Sequence, residues 1–71
     1  MPIVRPLFTD KDFQEALDLQ YKVRVFQNDQ MINSGTVIIR FTDETVVTQS
    51  GVSSVDYYKR AECEFFEVRS G

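Results

Sequence analysis

The run from Leu17 to Val25 alternates strictly between apolar and polar residues over nine positions. Successive side chains of a β-strand point to opposite faces of its sheet, so this alternation predicts a strand with one buried face. A polar turn, Gly35 and a second strand-like stretch from Thr36 to Phe41 follow. The sequence therefore predicts a small antiparallel β domain.

The length and composition of the chain limit what it can do chemically. Its 71 residues predict one domain, residues 1–71, and a chain of this size buries only about 60% of its unfolded surface. There is one cysteine, Cys63, and no histidine, which excludes the usual zinc ligands and the Ser-His and Cys-His nucleophile pairs. We expect no catalytic residue, no metal, no cofactor and no enzymatic activity, and we expect self-association to add stability.

The charge of the chain limits its partners. Eight basic and eleven acidic residues give a net charge of −3, which is the wrong sign for holding phosphates through bulk charge. Any nucleic-acid site must therefore be a local patch. No apolar stretch is long enough for a membrane helix or a signal peptide, so we expect a cytoplasmic protein with no membrane partner.

The first part of the chain predicts an arm, a helix and a strand. Residues 1–8 contain both prolines and predict an extended arm. Thr9 and Asp12 have the spacing of a helix N-cap and its partner, which predicts a helix over 10–16. The alternating run then predicts a strand over about 17–26.

Turn residues separate this strand from two further ones. Asn28 and Asp29 are typical of a tight turn. A strand is predicted over about 34–41, with Val37, Ile39 and Phe41 on its buried face. Residues 42–44 then form a short connection to a strand over 45–49, which Ser50 and Gly51 end.

The segment 54–68 has two interpretations. Its Tyr, Phe, Val and Cys residues favour two strands, whereas residues 59–62 favour a helix. We adopt the two strands and expect a bulge or a strand end at Phe65-Phe66. Among the acidic residues of this segment, we expect Glu62, Glu64 and Glu67 to lie on a solvated face, because glutamate is rarely buried unpaired.

The tetrad Tyr57-Tyr58-Lys59-Arg60 is the candidate binding motif. It places two aromatic rings beside two cations, which are the groups that stack on bases and contact phosphates. The alternative is structural: one tyrosine lies in the core and the two cations are ordinary turn charges.

Five segments of the chain resemble the Sm-like family, most closely its bacterial Hfq branch. Residues 12–17 resemble the end of the family's helix, and 21–28 resemble its first strand, which also leads into an asparagine. Residues 35–41 resemble the second strand, Gly-x-Val-x-x-Phe-Asp, and 45–47 the aliphatic third strand. Residues 58–61, Tyr-Lys-Arg-Ala, resemble the Tyr-Lys-His-Ala signature.

The resemblance implies a fold and an assembly. The fold would be a short N-terminal helix followed by a strongly bent, five-stranded antiparallel barrel over 17–68. Copies would associate by pairing the fourth strand of one with the fifth of the next, forming a homo-oligomeric ring that binds single-stranded, uridine-rich RNA. Lys59 and Arg60 would line the pore of that ring and contact phosphate or uridine.

The resemblance also implies two further sets of RNA contacts. Phe41, Thr42 and Asp43 would line pockets in which bases stack. Phe26 and Asn28 fall where the family holds purine-rich RNA, on the opposite face.

The sequence departs from the family pattern at four places. Asp29 stands in place of a turn glycine, Thr42 is an extra residue before Asp43, and Arg60 replaces the signature histidine. Residues 18–20, Asp-Leu-Gln, stand where the family has a basic cluster at the end of its helix. An acidic protein-interaction module or inhibitor that binds no nucleic acid therefore remains the alternative function.

Overall fold

The computed structural model describes residues 2–70. Within them, one helix and six strands form a single antiparallel sheet with the order β1-β6-β2-β3-β4-β5. The elements are β1 (Pro2–Leu7), α1 (Asp10–Leu19), β2 (Lys22–Gln27), β3 (Gln30–Phe41), β4 (Thr45–Ser50), β5 (Ser54–Lys59) and β6 (Glu64–Ser70).

The sheet differs from the predicted barrel in strand number and in closure. Five strands follow the helix, but a sixth, β1, precedes it, and the sheet is open because β5 and β1 form its two edges. The segment predicted as an arm is a paired strand, with Arg5 opposite Glu67 and Leu7 opposite Phe65 of β6. Leu7 is almost fully buried, so pairing this segment adds an apolar side chain to a small core.

Helix α1 begins where the sequence predicts and ends later. The Thr9 hydroxyl accepts from the Asp12 N–H at 3.1 Å, and the Asp12 carboxylate accepts from the Thr9 N–H, which is a complete capping box. The helix continues to Leu19, where Gln20, in the left-handed region at φ 52°, ends it. The predicted strand over 17–26 is therefore wrong at its start, because Leu17 continues the buried face of the helix and packs against the core.

The turn at Asn28-Asp29 is confirmed, and β3 buries Thr36 and Ile38 in place of Val37 and Ile39. Asn28 and Asp29 have φ 52° and 63°, the positive values that a two-residue hairpin turn requires. Further along β3, Thr36 and Ile38 are buried, so Val37 and Ile39 lie on the opposite face and their predicted inward direction is wrong. A register shift between Ile38 and Arg40 then returns Phe41 to the core side, as predicted.

The segment 54–68 forms two strands, as predicted. Phe65 and Phe66 are consecutive residues of the regular strand β6, so neither the bulge nor the strand end expected there occurs. Phe65 is buried in the core, and Phe66 lies on the other side of the sheet.

The core gathers around Phe13 of α1. Its ring centroid lies 5.8 Å from that of Phe41 and 5.5 Å from that of Phe65. Tyr58 lies 6.1 Å from Phe65, although their strands, β5 and β6, are not neighbours in the sheet. The sheet is therefore strongly bent around the helix.

A charged cluster lies under one end of the helix. Glu67 is fully buried, which contradicts the expected solvated position, and it forms ion pairs with Arg5 and, at 3.1 Å, with Arg69. Glu15 of α1 accepts from the same Arg69 guanidinium at 3.0 Å, and that guanidinium lies 4.3 Å from the centroid of the Tyr21 ring. The cluster joins β1, β6 and α1, because a buried carboxylate needs cationic partners.

We expect Glu67→Gln to lower the free energy of unfolding by about 2–3 kcal/mol, because it leaves two arginines without their buried partner. This is below the usual cost for a fully buried pair, since both arginine side chains are about one-third exposed. Urea denaturation measures the change. Glu62→Gln, the same substitution at an exposed position, should change the stability by less than about 0.5 kcal/mol; equal losses in the two variants would contradict the role of the cluster.

The helix cap predicts a dependence of stability on pH. Backbone N–H groups of Phe8 and Thr9 hold the pKa of Asp12 below its ordinary value of 3.8. A lowered pKa in the folded state stabilises the protein above pH 3.8, and that contribution is lost as the pH falls through the folded-state pKa. Asp12→Asn should therefore be less stable than the parent at neutral pH, and the difference should shrink below about pH 4. A difference that stays constant over an acid titration of thermal unfolding would contradict this.

Candidate functional site

The two faces of the sheet differ in what covers them. Helix α1 packs on one face, which we call the core face. The opposite face, the outer face, has no element packed on it within the part of the chain that the structure describes. Strand register and burial place on the outer face Val4, Pro6, Lys22, Arg24, Phe26, Val37, Arg40, Thr45, Val47, Gln49, Val55, Tyr57, Lys59, Glu64, Phe66 and Val68.

Charge is separated between the outer face and the helix. The strand residues of the outer face include four basic residues and one acidic residue, namely Lys22, Arg24, Arg40, Lys59 and Glu64, and Asp29 of the β2–β3 turn also borders this face. Helix α1 has the opposite balance, with Asp10, Asp12, Glu15 and Asp18 against Lys11. A chain of net charge −3 thus presents a locally basic surface.

Aromatic residues and a cation form a cleft at one end of the outer face. The rings of Phe26 and Phe66 meet edge to face, with centroids 5.4 Å apart, and Arg24 lies directly opposite Phe66 in the sheet. This cleft, the Phe26 cleft, has a volume of about 310 Å³, and Asp29 and Glu64 also line it.

A second depression lies at the other end of the outer face. Arg40, Val47 and Tyr57 occupy neighbouring positions on β3, β4 and β5, and Ile39 and Val55 line the same space of about 540 Å³. We call it the Tyr57 cleft. Tyr57 is 74% exposed, so its ring is open to a ligand.

Five of the predicted RNA-contacting residues come together at one turn. Lys59 is at the end of β5, opposite Thr45, and its side chain is exposed and lies 3.6 Å from Glu62. Thr42 and Asp43 are exposed in the β3–β4 connection. The two remaining members of the group, Phe41 and Arg60, face the core.

Arg60 holds this turn against the helix. Its guanidinium lies 4.5 Å from the centroid of Phe13, donates to the Thr42 carbonyl at 2.8 Å and pairs with Asp10 at 2.7 Å. Only 15% of its side chain is exposed. These contacts occupy the face of the guanidinium and the N–H donors that would otherwise bind an RNA phosphate. The contacts of Arg60 in this structure are therefore those of a structural residue.

Phe26 and Asn28 lie far from that turn, at the β2–β3 hairpin. Phe26 forms part of the Phe26 cleft, whereas Asn28 is exposed at the tip of the hairpin. Arg24, Phe66 and Arg40 also line the clefts, and the prediction did not include them. Arg24 could have been found from the polar positions of the alternating run, but the positions of Phe66 and Arg40 depend on the pairing of β6 and on the bulge.

The ring implied by the sequence resemblance would need a free edge on the last strand. In this structure β1 pairs with β6 from Phe65 to Ser70. A ring built by that pairing would therefore require β1 to leave the sheet.

Comparisons with family models, curated proteins and solved structures return no match for this chain. Among residues 2–70, no cluster of three or more His, Cys, Asp or Glu residues could hold a metal ion, and no helix is long and apolar enough to cross a membrane. Cys63 is a free thiol whose pKa is raised by partial burial and by the neighbouring Glu62.

We expect Arg60→Ala to lower the free energy of unfolding by about 1–3 kcal/mol, because the variant loses a cation–π contact and charge-assisted hydrogen bonds. Lys59→Ala, at the exposed neighbour, should change it by less than about 0.5 kcal/mol. Urea denaturation of both variants compares the two neighbours directly. Equal stability of Arg60→Ala and the parent would show that Arg60 has no structural role.

Proposed function

We propose that this protein binds single-stranded nucleic acid, RNA above all, on the outer face of its sheet. The observation that carries the proposal is the charge separation described above, with the half-buried rings of Phe26 and Phe66 and the exposed ring of Tyr57 among the basic residues. Proteins that bind single strands combine a basic surface, which follows the backbone, with aromatic side chains on which bases stack.

The two clefts suit bases, and the lysines suit phosphates. Phe26 and Phe66 offer ring surface in one cleft, and Tyr57 offers it in the other. Lys22 lies between them: it is two residues from Arg24 on β2 and opposite Val37 on β3. A strand that crosses the face between the clefts would bring phosphates past Lys22 and Arg40.

The acidic residues of the Phe26 cleft favour particular bases. Asp29 and Glu64 line it, and a carboxylate repels a phosphate but accepts a hydrogen bond from an exocyclic amino group. Adenine and cytosine have such a group and uracil does not. We therefore expect adenine- or cytosine-rich strands to bind more tightly than the uridine-rich strands that the sequence resemblance implies.

Fluorescence anisotropy with labelled oligoadenylate, oligocytidylate and oligouridylate tests the proposal. Phe26→Leu keeps an apolar side chain but removes the ring, and it should weaken binding about tenfold, since a stacked base contributes about 1–3 kcal/mol. Lys22→Gln should weaken binding to all three sequences and reduce the slope of log K against log[salt] by about 0.7, the value for one phosphate contact on a single strand.

Charge reversal provides the matched control. Lys22→Glu and Lys11→Glu change the net charge equally, but Lys22 is on the outer face and Lys11 is an exposed residue of the helix. Lys22→Glu should weaken binding much more than Lys11→Glu. Equal effects would show that only the overall charge matters, and absence of binding by the parent protein would refute the proposal.

A second candidate function is that of a protein-interaction module. The exposed apolar residues Ile39, Val55 and Tyr57 favour it, because they lie together beside the edge of the sheet and apolar side chains grouped in this way mark interaction sites. A protein-interaction module would bind a protein partner and would bind none of the three labelled oligonucleotides.

A further inference from the structure

Strand β5 is an edge strand that no proline or bulge interrupts. Its register with β4 is continuous over six residue pairs, from Ser50↔Ser54 to Thr45↔Lys59. It contains no proline, and all its residues except Tyr58 are exposed. A regular, exposed edge of this kind presents unpaired N–H and C=O groups to a further strand.

The other edge of the sheet is protected. Pro2, Val4 and Pro6 of β1 alternate along the strand, so their backbone nitrogens point to the same side. Proline has no N–H and occurs in edge strands where its nitrogen faces solvent. Of these three positions, only Val4 therefore has an N–H group to donate to a further strand. The free edge of β1 is for that reason a poor partner for β5 of another copy.

The edge of β5 is complementary to itself. When two copies of one edge strand pair antiparallel about a two-fold axis normal to the sheet, residues directly opposite each other lie on the same face. An axis at Asp56 would put two carboxylates opposite each other, which is unfavourable. An axis at Tyr57 puts Tyr57 opposite its copy, Asp56 opposite Tyr58, and Val55 opposite Lys59.

The Tyr57 register suits these side chains. Aromatic pairs across strands are favourable, and each exposed Tyr57 side chain would contact its copy at the axis. The Asp56 carboxylate would face a tyrosine that carries a hydroxyl donor, and Val55 would pack on the aliphatic part of Lys59. A chain of 71 residues also has few other means of enlarging its buried surface.

We propose that β5 pairs with β5 of a second copy, about a two-fold axis at Tyr57, so that the protein is a homodimer with one continuous sheet. This pairing closes after two copies, because each uses its one unprotected edge. It also places the outer faces of the two copies on the same side of the joined sheet, with the two Tyr57 clefts next to each other. The dimer does not depend on nucleic-acid binding.

Sedimentation equilibrium of the protein freed of nucleic acid tests the dimer. The expected mass is twice the 8.3 kDa of one chain. Tyr57→Lys places like charges at the axis and should raise the dissociation constant of the dimer about tenfold. Val52→Lys adds the same charge at the 96% exposed turn before β5, and it should leave the dissociation constant unchanged.

Disulfide cross-linking tests the register. In a Cys63→Ser background that retains the parent mass, Tyr57→Cys should form a cross-linked dimer under mild oxidation, because the two copies of residue 57 face each other at a distance that a disulfide can span. Val55→Cys should not, since the two copies of residue 55 would lie four residues apart along the paired strands.

Three results would overturn the proposal. One is a monomer throughout the concentration range, including a monomer whose β5 edge takes up an extended peptide from another protein. Another is an assembly of any size whose mass does not respond to Tyr57→Lys. The third is a cross-link by Val55→Cys in place of Tyr57→Cys, which would exclude the axis at Tyr57.

Discussion

The packing of Phe13 against both halves of the bent sheet is the interaction on which the rest of the structure depends. Phe41 approaches this ring from β3 and Phe65 approaches it from β6, while Arg60 lies over it. A chain of this length has few fully buried side chains, so one central aromatic residue has a large share of the apolar contacts. The bend of the sheet, the position of the β3–β4 turn and the place of the helix all follow from it.

The helix divides the surface into two chemically different halves. Because α1 covers the core face and has four of the acidic residues, the outer face keeps an excess of cations despite the negative net charge. Glu67, an acidic residue of β6 whose side chain is fully buried, is neutralised in the cluster with Arg5 and Arg69. Net charge therefore describes this protein poorly, and the position of each charge relative to the sheet decides what kind of ligand each face can attract.

Part of the fold and little of the candidate site could be predicted from the sequence. The helix cap at Thr9 and the hairpin at Asn28-Asp29 were predictable because each depends on a few neighbouring residues. The alternation at Leu17–Leu19 led to a wrong prediction of a strand start. A helix that buries Phe13 and Ala16 also turns Leu17 towards the core, so the burial of Leu17 fits a helix and a strand equally well. Arg60 was predicted to bind RNA from its neighbours in the sequence, but its side chain is held by Phe13 and Asp10, about fifty positions away along the chain.

The sequence by itself determined the β-rich class, the turns, the start of the helix and the absence of histidine chemistry, because these follow from local conformational preferences and from composition. The tertiary structure alone decided that β1 joins the sheet beside β6, that Glu67 is buried, and that Phe26, Phe66 and Arg24 share a cleft. Each of these depends on contacts between residues far apart in the chain. Such contacts form only when the register of several strands is set together.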